Sequence, residues 1–144
     1  MAKRVMVING PNLDRLGSRE PEIYGSNTYA DLVSDLTAMG AGLDFHVDIR
    51  QSASESEIIS WLHEAADSAT PVIMNPAAFT HYSYAIRDAC AMLTAPLIEV
   101  HISNPAAREE FRHKSVISGV ATGVIAGFGV DSYRMALQAL ARMQ

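Results

Sequence analysis

The chain has 144 residues, 49% of them hydrophobic and 19% charged, and carries a net charge of −5 at pH 7. That size and composition suit one domain, spanning 1–144, around one core. The acidic balance, with no basic run, argues against a nucleic-acid footprint, and with no stretch of eighteen or more apolar residues no membrane span is expected.

An apolar run over residues 4–9 reads as a buried strand. It feeds a long polar segment, Ile8 to Gly25, with two prolines, three glycines and two arginines. Long loops in compact domains are usually functional or disordered. Leu13, Leu16, Ile23 and Tyr24 give this one apolar anchors. The expectation is a loop whose 18–25 portion is a mobile lid that brings Arg19 and Tyr24 onto a ligand. Thr28 with Asp31 has the pattern of a capping box. It precedes Tyr29, Leu32, Val33, Leu36 and Met39, spaced for one helix face. A second strand is expected at 44–50. Ser54 with Glu57 makes the better capping box, followed by Ile58, Trp61, Leu62 and Ala65. A third strand occupies 71–75, and a helix follows over about 80–92, with Ile86, Ala89 and Leu93 inward. His81 and Asp88 would lie two turns apart on one face of it. The fourth strand covers 96–102. Asn104-Pro105, an N-cap followed by proline, opens a short helix through 112, and Arg108 and Arg112 would share one face of it. A fifth strand at 121–126 leads to a last helix beginning at Asp131 or Ser132, with Tyr133, Ala136, Leu137, Leu140 and Ala141 on one face.

Alternating continuous apolar strands and helices imply a parallel sheet covered on both faces. The expected fold is α/β, a flavodoxin-like three-layer sandwich whose five-stranded parallel sheet has the order 2-1-3-4-5. Ligands in such sheets bind beyond the carboxyl ends of the strands, near the switch between the first and third. Asn9, Asn12, Asn75, His101 and Ser103 fall there, and the fifth strand ends in Gly127-Phe128-Gly129.

Period two puts Glu99, His101 and Ser103 on one face of the fourth strand. A buried carboxylate and imidazole need partners. They form either a structural pair or a general acid, with Glu99 orienting His101 and favouring its cation. The carboxyl end of the strand favours the second reading. The Ile102 and Ser103 backbone N–H groups, beside the Asn104 cap, could hold an anion such as a carboxylate. Arg108-Glu109-Glu110-Phe111-Arg112-His113 reads first as a solvated charged face. Small residues at Ala77 and Ala78 let a ligand approach the backbone. No HxxxH, HExxH or CxxC spacing occurs, so no metal site is expected. Neither GxGxxG nor GxxxxGK[ST] occurs, so a phosphate loop is not expected either. The single cysteine, Cys90, reads as a small buried side chain; it cannot form an internal disulfide, which fits a reducing, cytoplasmic setting. A receiver domain would need an aspartate where Asn75 ends the third strand. A flavin carrier would need a phosphate loop after the first.

Together these segments resemble type II 3-dehydroquinate dehydratase. The resemblance covers Asn9-Gly10-Pro11-Asn12-Leu13, Leu16-Gly17, Arg19-Glu20-Pro21, Tyr24-Gly25 and Arg50-Gln51-Ser52. It continues through Asn75-Pro76-Ala77-Ala78, Thr80-His81, Ser83, Arg87-Asp88-Ala89, Ile98 to Asn104, Arg108-Glu109 and Phe111-Arg112. Two departures stand out: Tyr82 replaces a usual threonine, and Ala77 and Ala78 stand where glycine is common. The resemblance implies a cofactor-free hydro-lyase that converts 3-dehydroquinate to 3-dehydroshikimate through an enolate, in the shikimate pathway or in quinate breakdown. It implies that Tyr24 takes the C2 proton, that Arg19 on the lid assists it, and that His101 protonates the departing C1 hydroxyl. Asn12 would hold the water that stabilises the enolate, and Asn75 would contact substrate and help orient the histidine. Ile102 and Ser103 would bind the carboxylate, and His81 and Arg112 the ring hydroxyls. Arg108 would be a second arginine near the site, and Asp88 would enter the pocket of a neighbouring subunit in a dodecamer built from trimers. A tyrosine titrates near about 10, so such a base needs a cation that cannot lose its proton beside it. A lysine Schiff base is not expected, since the only lysines are Lys3 and Lys114.

Overall fold

Five strands, β1 (Lys3–Asn9), β2 (Phe45–Gln51), β3 (Val72–Asn75), β4 (Leu97–His101) and β5 (Gly123–Ala126), alternate with helical segments. The computed structural model describes residues 2–18 and 20–143. In it every strand pairing is parallel and the sheet order is β2-β1-β3-β4-β5, the order the alternation predicts. The helices are α1 (Pro21–Tyr24), α2 (Tyr29–Gly42), α3 (Glu55–Ser68), α4 (Tyr84–Cys90) and α5 (Asp131–Arg142).

Strand periodicity divides the core into two halves. Val5, Val7, Ile73, Ile98 and Val100 pack with Leu32, Leu36, Leu137 and Leu140 of α2 and α5. Met6, Ile8, Val72, Met74 and Leu97 pack with Ile58, Leu62, Ala65, Ile86 and Ala89 of α3 and α4. Both sheet faces are buried under helices, which is why the central strands read as unbroken apolar runs.

The caps differ from the expectation in rank. Thr28 and Asp31 form the complete reciprocal box. Ser54 accepts from the Glu57 N–H, but its own N–H donates to Ser52 Oγ, so a return bond from Glu57 has nothing to satisfy.

Two expected helices are shorter than predicted. The helix expected over 80–92 is a 3-10 turn, Ala77–His81, a break at Tyr82, and then α4 capped by Ser83. His81 and Asp88 therefore do not share a helix face. The helix expected through residue 112 is two 3-10 turns, Pro105–Ala107 and Glu110–His113. Between them Arg108 is extended (φ −114°, ψ −161°), so the shared helix face of Arg108 and Arg112 is also corrected.

Gly10 locks the end of β1 against the turn after β3. Its N–H donates to the Asn75 carbonyl at 2.8 Å. A Cβ at Gly10 would lie 2.4 Å from the Pro76 carbonyl oxygen. Only glycine allows this approach, and it joins the two strands that flank the topological switch.

Candidate active site

The carboxyl ends of β1, β3 and β4 open into a crevice of about 160 Å³. Asn12, Tyr24, Asn75, Ala77, Ala78, His81, His101, Ile102, Ser103, Arg108 and Arg112 line it, with Pro11, Leu13, Pro105 and Phe111. Among the described residues no group of three or more His, Cys, Asp or Glu side chains is placed to hold a metal ion. No described helix is long and apolar enough to cross a membrane.

Each residue reaches the crevice for a local reason. Asn12 turns the chain out of β1 in the left-handed region (φ 70°), which asparagine tolerates better than most residues. Tyr24 ends α1, a single turn closed by Gly25 at φ 85°. Ala77 is also left-handed (φ 54°), a conformation that costs a non-glycine residue roughly 1–2 kcal/mol. A glycine at this position would relieve that strain; Ala78 is not left-handed.

His101 Nε2 donates to Glu99 Oε2 at 2.5 Å, and the Glu99 side chain is 1% exposed. Burial pushes the Glu99 carboxyl up, but bonds from His101, Ser118 and Thr80 outweigh it and hold it below its ordinary value. The carboxylate thus lies beneath the imidazole rather than in the crevice. Nδ1 of His101 is left as the ring nitrogen free to serve a ligand.

On the other sheet face, Asn75 is tied to Tyr133. Asn75 Nδ2 donates to the Tyr133 hydroxyl at 2.9 Å, and that hydroxyl donates to Asn9 Oδ1 at 2.6 Å. Asn75 Oδ1 accepts from the Ala77 N–H at 3.1 Å. Tyr133 is wholly buried, and burial raises its hydroxyl far above the ordinary range, so it stays a donor. Among the described residues the Asn75 amide bonds these two partners and makes no bond to His101, with one N–H and one lone pair left over.

Among the described residues, Arg108 is a cation placed against Tyr24. Nη1 donates to the Tyr24 hydroxyl at 2.7 Å and to Ser103 Oγ at 3.3 Å. Arg112 is held by Glu109 at 3.0 Å and sits over the Phe111 ring, whose edge meets His81. His81 Nδ1 bonds the Lys114 carbonyl at 2.7 Å. Ile102 gives its carbonyl to the Gly129 N–H, which closes the end of β5 on β4. Asp88 lies away from the crevice, 73% exposed and paired with Arg87 at 3.1 Å. Arg19 lies outside the described residues. Cys90 is buried, and its thiol is pushed up to about 12 by burial and then by the Glu99 charge, so it is no nucleophile.

Three groups escaped the sequence reading: Tyr133, Phe111, and the hydroxyls of Thr80, Ser115 and Ser118 around Glu99. The alternation of β4 announced a carboxylate in need of partners, but not which hydroxyls would supply them.

Fold and site together define a flavodoxin-like α/β enzyme with an acid–base crevice at its strand switch. The family model described as "Dehydroquinase class II" matches residues 3–141. A 3-dehydroquinate dehydratase of Salinispora tropica is 62% identical over 138 residues, covering 96% of each chain. One of Mycobacteroides abscessus is 60% identical over 134 residues, covering 93% of each. The crystal structure of the type II dehydroquinase of Propionibacterium acnes superposes with a TM-score of 0.97 at 55% identity, covering 99% of this chain and 98% of that one. The chain belongs to the class II dehydroquinase family.

Proposed function

We propose that the chain is a 3-dehydroquinate dehydratase, a hydro-lyase that forms 3-dehydroshikimate by losing water in two steps. The carrying observation is one crevice holding a phenol against a guanidinium and an imidazole against a buried carboxylate. Tyr24 as phenolate takes the proton from C2, which the C3 ketone acidifies, and the electron pair becomes an enolate. Asn12, at the rim after β1, positions a water over that enolate. The enolate collapses, the C1–O bond breaks, and His101 gives its Nδ1 proton to the departing hydroxyl. Glu99 stabilises the imidazolium this requires.

Binding follows from the same lining. Ile102 and Ser103 face the substrate carboxylate, His81 and Arg112 the ring hydroxyls, and Asn75, Ala77 and Ala78 the ring face. Residues 18–25 act as a lid carrying Arg19 and Tyr24; closure excludes water and strengthens every charge contact inside. Neither lysine lines the crevice, which supports an enolate over a Schiff base. The chain acts as one catalytic domain.

A dodecamer built as a tetramer of trimers, in which Asp88 completes a neighbour's pocket, is the assembly we favour. Its support is the position of Asp88, outward and off its own crevice. A monomer by sedimentation would contradict it. A cytoplasmic setting is favoured by the lone buried Cys90.

The test is the ultraviolet absorbance of the conjugated enone. Purified protein with 3-dehydroquinate should generate it without added cofactor, and borohydride should trap no covalent adduct. No enone at any enzyme concentration overturns the reading.

A further inference from the structure

Glu99 is wholly buried and receives more hydrogen bonds than a positioning partner of one histidine needs. Thr80 Oγ1 donates to Oε2 at 2.6 Å, Ser118 Oγ to Oε1 at 2.6 Å, and Ser115 Oγ to Oε2 at 3.0 Å. These come from the turn after β3 and from the segment before β5, far apart in sequence.

The Thr80 proton direction is forced. Ser115 Oγ accepts from the Ile117 and Ser118 N–H groups, both at 3.1 Å, which fills its two lone pairs. Its own proton must therefore point out, toward Glu99 or Thr80. Thr80, 2.8 Å away, cannot donate to Ser115 and so must donate to Glu99. Thr80, Ser118 and His101 then donate to Glu99, with Ser115 behind Thr80 or beside it, and a protonated Glu99 would have to displace one of these donors. Among the charged and titratable groups facing it, His101 comes from β4 and Cys90 from α4, the thiol staying neutral. Its register neighbours Met74 on β3 and Val124 on β5 are apolar.

We propose that Thr80, Ser115 and Ser118 are positioning residues for the dehydration: their three hydroxyls keep Glu99 a carboxylate aimed at His101, and so keep the acid of the reaction charged. They touch no substrate. The device makes the acid depend on neutral hydroxyls that do not titrate in the working range, so the site tolerates falling pH better than a bare Glu–His pair. Only the link to turnover rests on the dehydratase reading.

The experiment titrates the Glu99 carboxyl by carbon-13 NMR in the full-length protein, assigned with Glu99→Gln, and records kcat and KM against pH. Ser118→Ala should move the carboxyl midpoint up by about one pH unit. The acid limb of kcat should move up in step, with kcat about tenfold lower on that limb and KM within about twofold. Ser118→Thr, which keeps the hydroxyl, should restore both. If Ser118→Ala does not fold, Thr80→Val is read the same way. A folded variant with an unmoved carboxyl midpoint, or with a moved midpoint and an unmoved kcat limb, overturns the proposal. A wild type that forms no enone overturns the dehydratase reading instead, while the carboxyl titration still decides the hydroxyl cage.

Discussion

Arg108 Nη1 donates to the Tyr24 hydroxyl at 2.7 Å, and its guanidinium carbon stands 5.2 Å from the centre of the Tyr24 ring. One side chain thus meets the hydroxyl and the ring together, a geometry that a planar guanidinium provides and an ammonium does not. It is also anchored from below by Ser103, so a cation fixed to the end of β4 meets a tyrosine carried by the loop after β1.

If Tyr24 is the base, Tyr24→Phe should lower kcat by about 10²- to 10⁴-fold while circular dichroism stays unchanged. Arg108→Lys should lose much of the same factor, because it keeps charge but loses the flat contact. The double variant Tyr24→Phe/Arg108→Ala should be little worse than Tyr24→Phe alone, since two groups that act as one unit are not additive. Near-normal turnover in Tyr24→Phe would remove the base from the mechanism.

Tyr133 is a different kind of residue, buried and bridging. Tyr133→Phe removes one oxygen and takes the bonding partner from two buried amide groups, Asn9 Oδ1 and Asn75 Nδ2. The expected cost is about 2–4 kcal/mol in urea unfolding with the slope m unchanged. Activity should suffer as well, because the Asn75 amide loses the partner that sets which of its ends faces Ala77. A stability within about 0.5 kcal/mol of wild type would mean that the amides find other partners.

Acid stability has a separate source at the opposite edge of the sheet. Asp48 and Glu64 are both held at about 2, from ordinary values of 3.8 and 4.5, by the Arg50 and Arg4 guanidinium groups. Both titrate lower when folded than when unfolded, so their stabilisation is complete above about pH 4.5 and is lost as the pH falls toward 2. The Asp48 side chain is 25% exposed and Glu64 44%, so solvent screening leaves Asp48 the larger share, about 1–2 kcal/mol. Thermal midpoints in Asp48→Asn should be lower than wild type at pH 6 and converge with it near pH 2. Parallel curves across that window would show that the pair does not drive acid unfolding.

The sheet was legible because its signal is local. Val5 to Ile8 and Val72 to Met74 are unbroken apolar runs, and runs of that kind alternating with helices leave few topologies. The Glu99–His101 pair was legible for the same reason, through period two along one strand. What stayed hidden lies between residues distant in the chain. The apolar spacing starts a helix at about Thr80; in the structure its hydroxyl serves Glu99, and Ser83 caps α4. Arg108 and Arg112 were placed on one helix by spacing. Their convergence on the crevice comes instead from an extended Arg108 between two 3-10 turns, which no periodicity announces. Tyr133 belonged to the apolar face of α5 by pattern, and its face was correct, but the pattern says nothing of its hydroxyl.

Gly10 offers the sharpest separation of site geometry from bulk stability. A methyl group there would sit 2.4 Å from the Pro76 oxygen and 2.8 Å from the Pro76 carbonyl carbon, both backbone atoms that cannot swing aside. Gly10→Ala must therefore push the end of β1 from the turn after β3. The overpacking should cost about 1–3 kcal/mol. Those two segments carry Asn12 on one side and Asn75 and Ala77 on the other. A displacement of about 1 Å between positioning groups is enough for a loss of the order of 10²-fold. The expected result is a folded protein whose kcat/KM falls far more than its stability. Gly119→Ala is the matched control, since a Cβ there meets nothing within 4 Å and its φ is not left-handed. Equal activity in Gly10→Ala and Gly119→Ala would mean that the crevice absorbs the displacement.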